Sequence, residues 1–137
     1  MKLATLCSTI VAVTAFVGPA MAHHSFAMFD QEKTITVNGT VKEFEWSNPH
    51  AWMHMVVTGQ GGKTEEWSFE MGSVGQLVRA GWKADTVKPG DKLKMVMHPL
   101  KDGSRGGQYV SAFTADGHRY DEVVPVGNAP NDGNIPK

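Results

Sequence analysis

From Ile35 onward the chain alternates apolar and polar residues in short runs punctuated by Gly, Pro and Asn. That is the pattern of half-buried strands joined by tight turns. Ile35 to Trp46 reads as a long first strand. Ile35, Val37, Gly39 and Val41 share one parity, whereas Phe44 and Trp46 have the other. The switch predicts a bulge or coil near Lys42-Glu43, which bends a strand so that it serves two sheets. Ser47-Asn48-Pro49-His50 is a turn into a second strand, Ala51 to Thr58, with Met53, Met55 and Val57 on one face and Trp52, His54 and Val56 on the other. Gln60-Gly61-Gly62 leads into a third strand, Lys63 to Met71, whose Trp67, Phe69 and Met71 point inward.

Only Val74 to Ala80 reads as a helix, with Ser73 suited to cap it and Gly81 to end it. Lys88-Pro89-Gly90-Asp91 turns into a fourth strand, Lys92 to His98, which Pro99 ends. Lys101 to Gln108 reads as a flexible loop before a fifth strand, Tyr109 to Thr114, and a short extra strand fits between Arg119 and Val124. Five strands, a kinked first strand and one short helix between the third and fourth predict a mainly β fold, an OB-like Greek-key barrel. A small antiparallel sandwich is the alternative. In a barrel of this kind the loops Ser47–His50 and Lys101–Gln108 lie on one side and offer a binding site.

The first residues follow another pattern. Lys2 precedes an apolar run from Leu3 to Val17, then Gly18-Pro19 and the small-x-small triplet Ala20-Met21-Ala22. This predicts a signal peptide, residues 1–22, cleaved after Ala22 and sending the protein to the periplasm or outside the cell. A run of about 15 apolar residues is short for a membrane span, and no later segment is apolar enough to cross a bilayer. The remaining chain divides into a barrel domain over 23–124 and a tail over 125–137, rich in Pro, Gly and Asn and expected to be disordered.

Cleavage changes the available chemistry. Cys7 leaves with the signal, so disulfides, thiolate metal sites and cysteine nucleophiles are excluded. Lys2 leaves too, so the 13 Lys and Arg residues fall to 12 against 14 Asp and Glu. With no basic block, nucleic acid is an unlikely partner class. His23 becomes the first residue, and its α-amine and imidazole form a six-membered chelate that a third nitrogen completes. Nitrogen sets of this kind favour copper(II). His24 and His50 are the candidates for the third nitrogen, with His50 presented by a proline-restricted turn. His54 faces the side of the second strand opposite Met53 and Met55, within cross-strand reach of Glu66, Ser68 and Glu70. His98 ends the fourth strand near the same region, and His118 belongs to solvent. Met53, Met55, Met95 and Met97 alternate as core residues do, which outweighs a thioether copper site. Trp46 and Trp52 flank the Asn48-Pro49-His50 turn and suit an aromatic ligand surface, and Arg105 in the Gly-rich loop suits an anion.

No serine elbow, phosphate loop or paired-zinc motif is present, so an enzyme is not expected. Ala22-His23-His24-Ser25-Phe26-Ala27, Trp46-Ser47-Asn48-Pro49-His50-Ala51 and Trp67-Ser68-Phe69-Glu70-Met71-Gly72-Ser73, with Gly39-Thr40-Val41, Gly81-Trp82 and Lys88-Pro89-Gly90-Asp91, resemble a family of small exported bacterial proteins of unknown function. The resemblance implies export and one small β-rich domain, and it carries no catalytic residue. It places His23, His24, Asn48, Pro49, His50 and Glu70 at motif positions. The combined expectation is an exported periplasmic protein binding copper or another divalent metal through His23, His24 and His50, with Glu70 behind them. A module binding a non-metal ligand or an envelope protein is the alternative, and a copper-dependent oxidoreductase a weaker one.

Overall fold

Six strands and one helix follow each other along the chain: β1 (Ile35–Glu45), β2 (Trp52–Thr58), β3 (Thr64–Glu70), α1 (Val74–Arg79), β4 (Lys92–Pro99), β5 (Gly106–Thr114) and β6 (Arg119–Asp121). They come from a computed structural model that describes residues 26–123. The expected signal peptide, His23, His24 and the expected tail from 125 lie outside the described residues.

The sheet order is β3-β2-β1-β4-β5-β6, and a parallel pairing of β3 with β5 closes the first five strands into a barrel. The long first strand makes this possible. Its first half pairs with β4 and its second half with β2. The register slips between Val41 and Glu43, where the change of parity predicted a bulge. That slip lets Val41 and Phe44 both face the core despite their odd spacing. A second slip, between Val96 and Met97 in the β4–β5 pair, has no such mark in the sequence.

Methionine packs the centre. Met53, Met55, Met95 and Met97 are fully buried, beside Val41, Phe69, Trp82, Tyr109 and Leu77 from α1. Each such side chain contributes roughly 1.5–3 kcal/mol when removed from water. The flexible thioethers fill the irregular interior of the barrel. The helix plugs the end left between β3 and β4. Ser73 Oγ accepts the Gln76 N–H, and the Gln76 side chain accepts the Ser73 N–H in return, a reciprocal cap. Gly81, at φ +90°, then takes the left-handed turn that ends the helix.

One expectation needs correction. Gly106 and Gly107 are not part of a flexible loop; they begin β5, where it passes between β3 and β4. A Cβ at Gly106 would sit 2.2 Å from the Ser68 carbonyl oxygen, and one at Gly107 would sit 2.2 Å from that of His98. Glycine is needed here for close backbone approach, and this approach closes the barrel.

Candidate functional site

A cleft of about 520 Å³ opens where the β1–β2 turn, the end of β3, the end of β4 and the start of β5 meet. Its polar lining is His50, Glu70, His98, Gln108, Gln31 and Glu122, and Phe26, Phe29 and Met71 supply apolar walls. Of the two segments expected on one side of the barrel, the first contributes His50 to this lining and the second contributes Gln108, which belongs to β5.

His50 is held by its surroundings on several sides. The Asn48–Pro49 peptide is cis. The Ser47 hydroxyl donates to the His50 carbonyl at 3.0 Å, and Asn48 Oδ1 accepts the Val74 N–H at 3.1 Å, tying the turn to α1. Immediately after His50, the Ala51 N–H donates to the Gly72 carbonyl (3.1 Å), and the Met71 N–H donates to the Ala51 carbonyl (2.9 Å). These bonds lay the turn along residues 70–72, and His50 Nδ1 pairs with Glu70 Oε1. By strand parity Glu70 was expected on the outer face of β3 with Glu66 and Ser68. It is instead 9% exposed and turned to the cleft.

His98 enters from β4, and its Nδ1 donates to the Lys33 carbonyl at 2.7 Å. A carboxylate and a carbonyl only accept, so in both histidines the proton sits on Nδ1. In the neutral tautomer that proton leaves the lone pair at Nε2. Opposite His98 in the ladder stands Gln108, whose Oε1 accepts from Gln31 Nε2 at 2.7 Å. Gln108 Nε2 in turn donates to Glu122 Oε1 at 3.4 Å. Burial raises the pKa of the half-buried Glu122 carboxyl above the ordinary glutamate range, against the opposing pull of that hydrogen bond and of His98. Among the described residues, no lysine or arginine lines the cleft.

The segment ahead of β1 forms the remaining wall. Phe29 bridges to Leu100, and the Asp30 N–H donates to the Pro99 carbonyl at 2.8 Å. The bridge buries Phe29 and places Phe26 over the cleft.

Other sequence candidates lie elsewhere. His54 is on the outside of β2, with Nδ1 2.8 Å from Ser68 Oγ and Nε2 3.1 Å from Glu45 Oε1, and it stacks on Trp52. Its acidic partner thus comes from β1 and not from β3. Trp46 packs edge-on against Phe44 at the core margin, and neither Trp46 nor Trp52 lines the cleft. Arg105 grips Glu65 with two nitrogens, at 2.7 and 3.0 Å, and holds that carboxyl below its usual range. His118 is exposed beside Tyr120. Gln31, Gln108, Glu122, Phe26 and Phe29 were missed, because no spacing signal links them before the barrel closes. Among the described residues, no group of three or more His, Cys, Asp or Glu side chains is placed to hold a metal. His50 and His98 are the imidazoles at the cleft, and His23 and His24 lie outside that description.

Residues 11–110 match the model of a family of unknown function, DUF6152. No curated protein matches the chain.

Proposed function

We propose that this chain, which belongs to the DUF6152 family of unknown function, is an exported periplasmic binding protein that holds a divalent metal ion, copper(II) foremost, in the barrel cleft. The observation that supports this is the pairing of His50 Nδ1 with Glu70 at the cleft wall. A histidine that ligates a metal through one nitrogen typically gives the N–H of the other to a carboxylate, which fixes the tautomer and raises ligand basicity. The pair His50–Glu70 has that form, with Nε2 as the ligating atom.

Two further ligands come from the amino terminus. Cleavage after Ala22 leaves His23 three residues ahead of Phe26, which lines the cleft. Three residues span at most about 10–11 Å, which keeps His23 within that distance of Phe26, and in this reading its amine and imidazole join His50 at the cleft. The result is an all-nitrogen set of amine, imidazole and imidazole, suited to copper(II) at the top of the divalent affinity order. His24 belongs next to this set as an alternative imidazole.

Copper(II) titration of the mature protein tests the reading, beside His50→Ala and beside a variant with one extra residue before His23. Both changes are expected to weaken copper by at least tenfold and to alter the nitrogen couplings in its electron paramagnetic resonance spectrum. Unchanged affinity and spectra in both variants would sink the proposal.

A further inference from the structure

The metal reading uses His50, Glu70 and the amino terminus, and it leaves the other part of the cleft without a task. Glu122 lies there, half-buried, with a long hydrogen bond from Gln108 and, among the described residues, no lysine or arginine lining the cleft. A carboxylate has about four lone-pair sites, so most of its accepting capacity is open to a ligand. Burial raises its pKa, against the opposing pull of the Gln108 hydrogen bond and of His98. Two neighbours are acceptors as well. His98 has Nδ1 committed to the Lys33 carbonyl and presents Nε2 as a lone pair, while Gln31 has its amide nitrogen committed to Gln108 and presents Oε1.

We propose that this end of the cleft is a subsite for the primary ammonium group of an organic amine, bound by Glu122, His98 Nε2 and Gln31 Oε1, with Phe26 and Phe29 against its apolar stem. An ammonium carries three N–H donors and no acceptor, which matches a lining that offers three acceptors. The two phenylalanines on the same lining give the stem an apolar wall and the charge an aromatic face. An anion would be repelled by the Glu122 carboxylate. A second metal ion would find only His98 and Glu122 as strong donors, fewer than the three protein ligands that even open metal sites retain. The subsite does not depend on the copper site and is open to an amine in metal-free protein.

Calorimetric titration of mature, chelator-treated protein with benzylamine tests this, with benzyl alcohol as the uncharged isostere. Benzylammonium is expected to bind with a Kd of roughly millimolar or below, and benzyl alcohol at least tenfold more weakly. Glu122→Gln keeps an acceptor for Gln108 and is expected to lose tenfold or more in benzylammonium affinity while retaining the native circular dichroism spectrum. Absence of benzylammonium binding overturns the proposal. So does equal affinity for benzyl alcohol, which is read on the unaltered protein and needs no variant, and so does full affinity in a folded Glu122→Gln. Because the measurement is metal-free, failure of the copper site leaves its outcome unaffected.

Discussion

Replacing Tyr109 with Phe removes one oxygen atom from the barrel and leaves the ring in place. In the native protein that hydroxyl accepts the indole N–H of Trp82 at 3.2 Å and donates to the Tyr120 carbonyl at 2.8 Å. Trp82 and Tyr109 are each 1% exposed, so no water reaches the indole once the hydroxyl is gone. A buried donor left without a partner costs about 1–3 kcal/mol. The Tyr120 carbonyl belongs to the half-buried edge strand β6 and recovers part of its loss from solvent. The expected destabilisation is therefore about 2 kcal/mol. A domain of this size loses about 4–8 °C in Tm per kcal/mol, so Tm falls by roughly 8–16 °C. Denaturant and thermal melts followed by circular dichroism measure both quantities, and the denaturant slope is expected to stay constant because the exposed surface does not change. A loss below about 0.5 kcal/mol, the range of neutral surface substitutions, would refute the idea that this hydroxyl satisfies the indole. The same burial raises the Tyr109 phenol pKa above its ordinary range. An ultraviolet pH titration should accordingly show one of the two tyrosines ionising late.

Gly107→Ala places a methyl 2.2 Å from the His98 carbonyl oxygen and 2.8 Å from Met97 Sδ. It should cost about 1–3 kcal/mol by overpacking, whereas Gly59→Ala, with its nearest neighbour at 3.7 Å, should stay within about 0.5 kcal/mol in the same melts. Glu122→Gln tests the pH linkage. Because the folded pKa is raised, this carboxyl favours the folded state most fully below its unfolded pKa and loses that contribution as pH rises through the folded value. The variant should accordingly be more stable than the native protein at neutral pH, with the gap closing as pH falls through the carboxylate range. A gap that widens on acidification would reverse the sign and disprove the assignment. Glu70→Gln removes the carboxylate behind His50 and keeps its size, and copper affinity should fall about 10–100-fold, read by competition with a chromophoric chelator.

The barrel was legible because its determinants are local. Parity along Ile35–Trp46 encodes the bulge, the alternation of Met53, Met55, Met95 and Met97 encodes the inner face, and Ser73 with Gly81 brackets the helix. The β3–β5 pairing was not legible as backbone contact, and neither was the role of Gly106-Gly107, which read as loop until β5 was seen passing between two strands. The site divides in the same way. His50 stood out through its proline turn, but the inward rotation of Glu70 depends on residues 51 and 71–72 pairing beside it. Gln108 and Glu122 come from distant parts of the chain, and closure of the barrel brings them together. No local pattern records such a meeting.

What the cleft excludes is as telling as what it contains. Inside the barrel, apolar packing accounts for the buried side chains, with methionine at its centre. At this one rim the rule is broken repeatedly. Glu70 is nearly buried and paired with His50, Glu122 is desolvated with a long hydrogen bond, and His98 is held through Nδ1 by the Lys33 carbonyl. A protein selected for stability alone gains nothing from burying the Glu122 carboxyl, because its desolvation works against folding of the charged form. The arrangement has a physical rationale if positive charge arrives with a ligand, since binding to the folded state then returns the stability that the empty site gives up. Local departures from folding consistency mark functional sites for this reason. Here the departures are mostly acceptors, which is the chemistry that both proposed ligands, a metal ion and an ammonium group, would use.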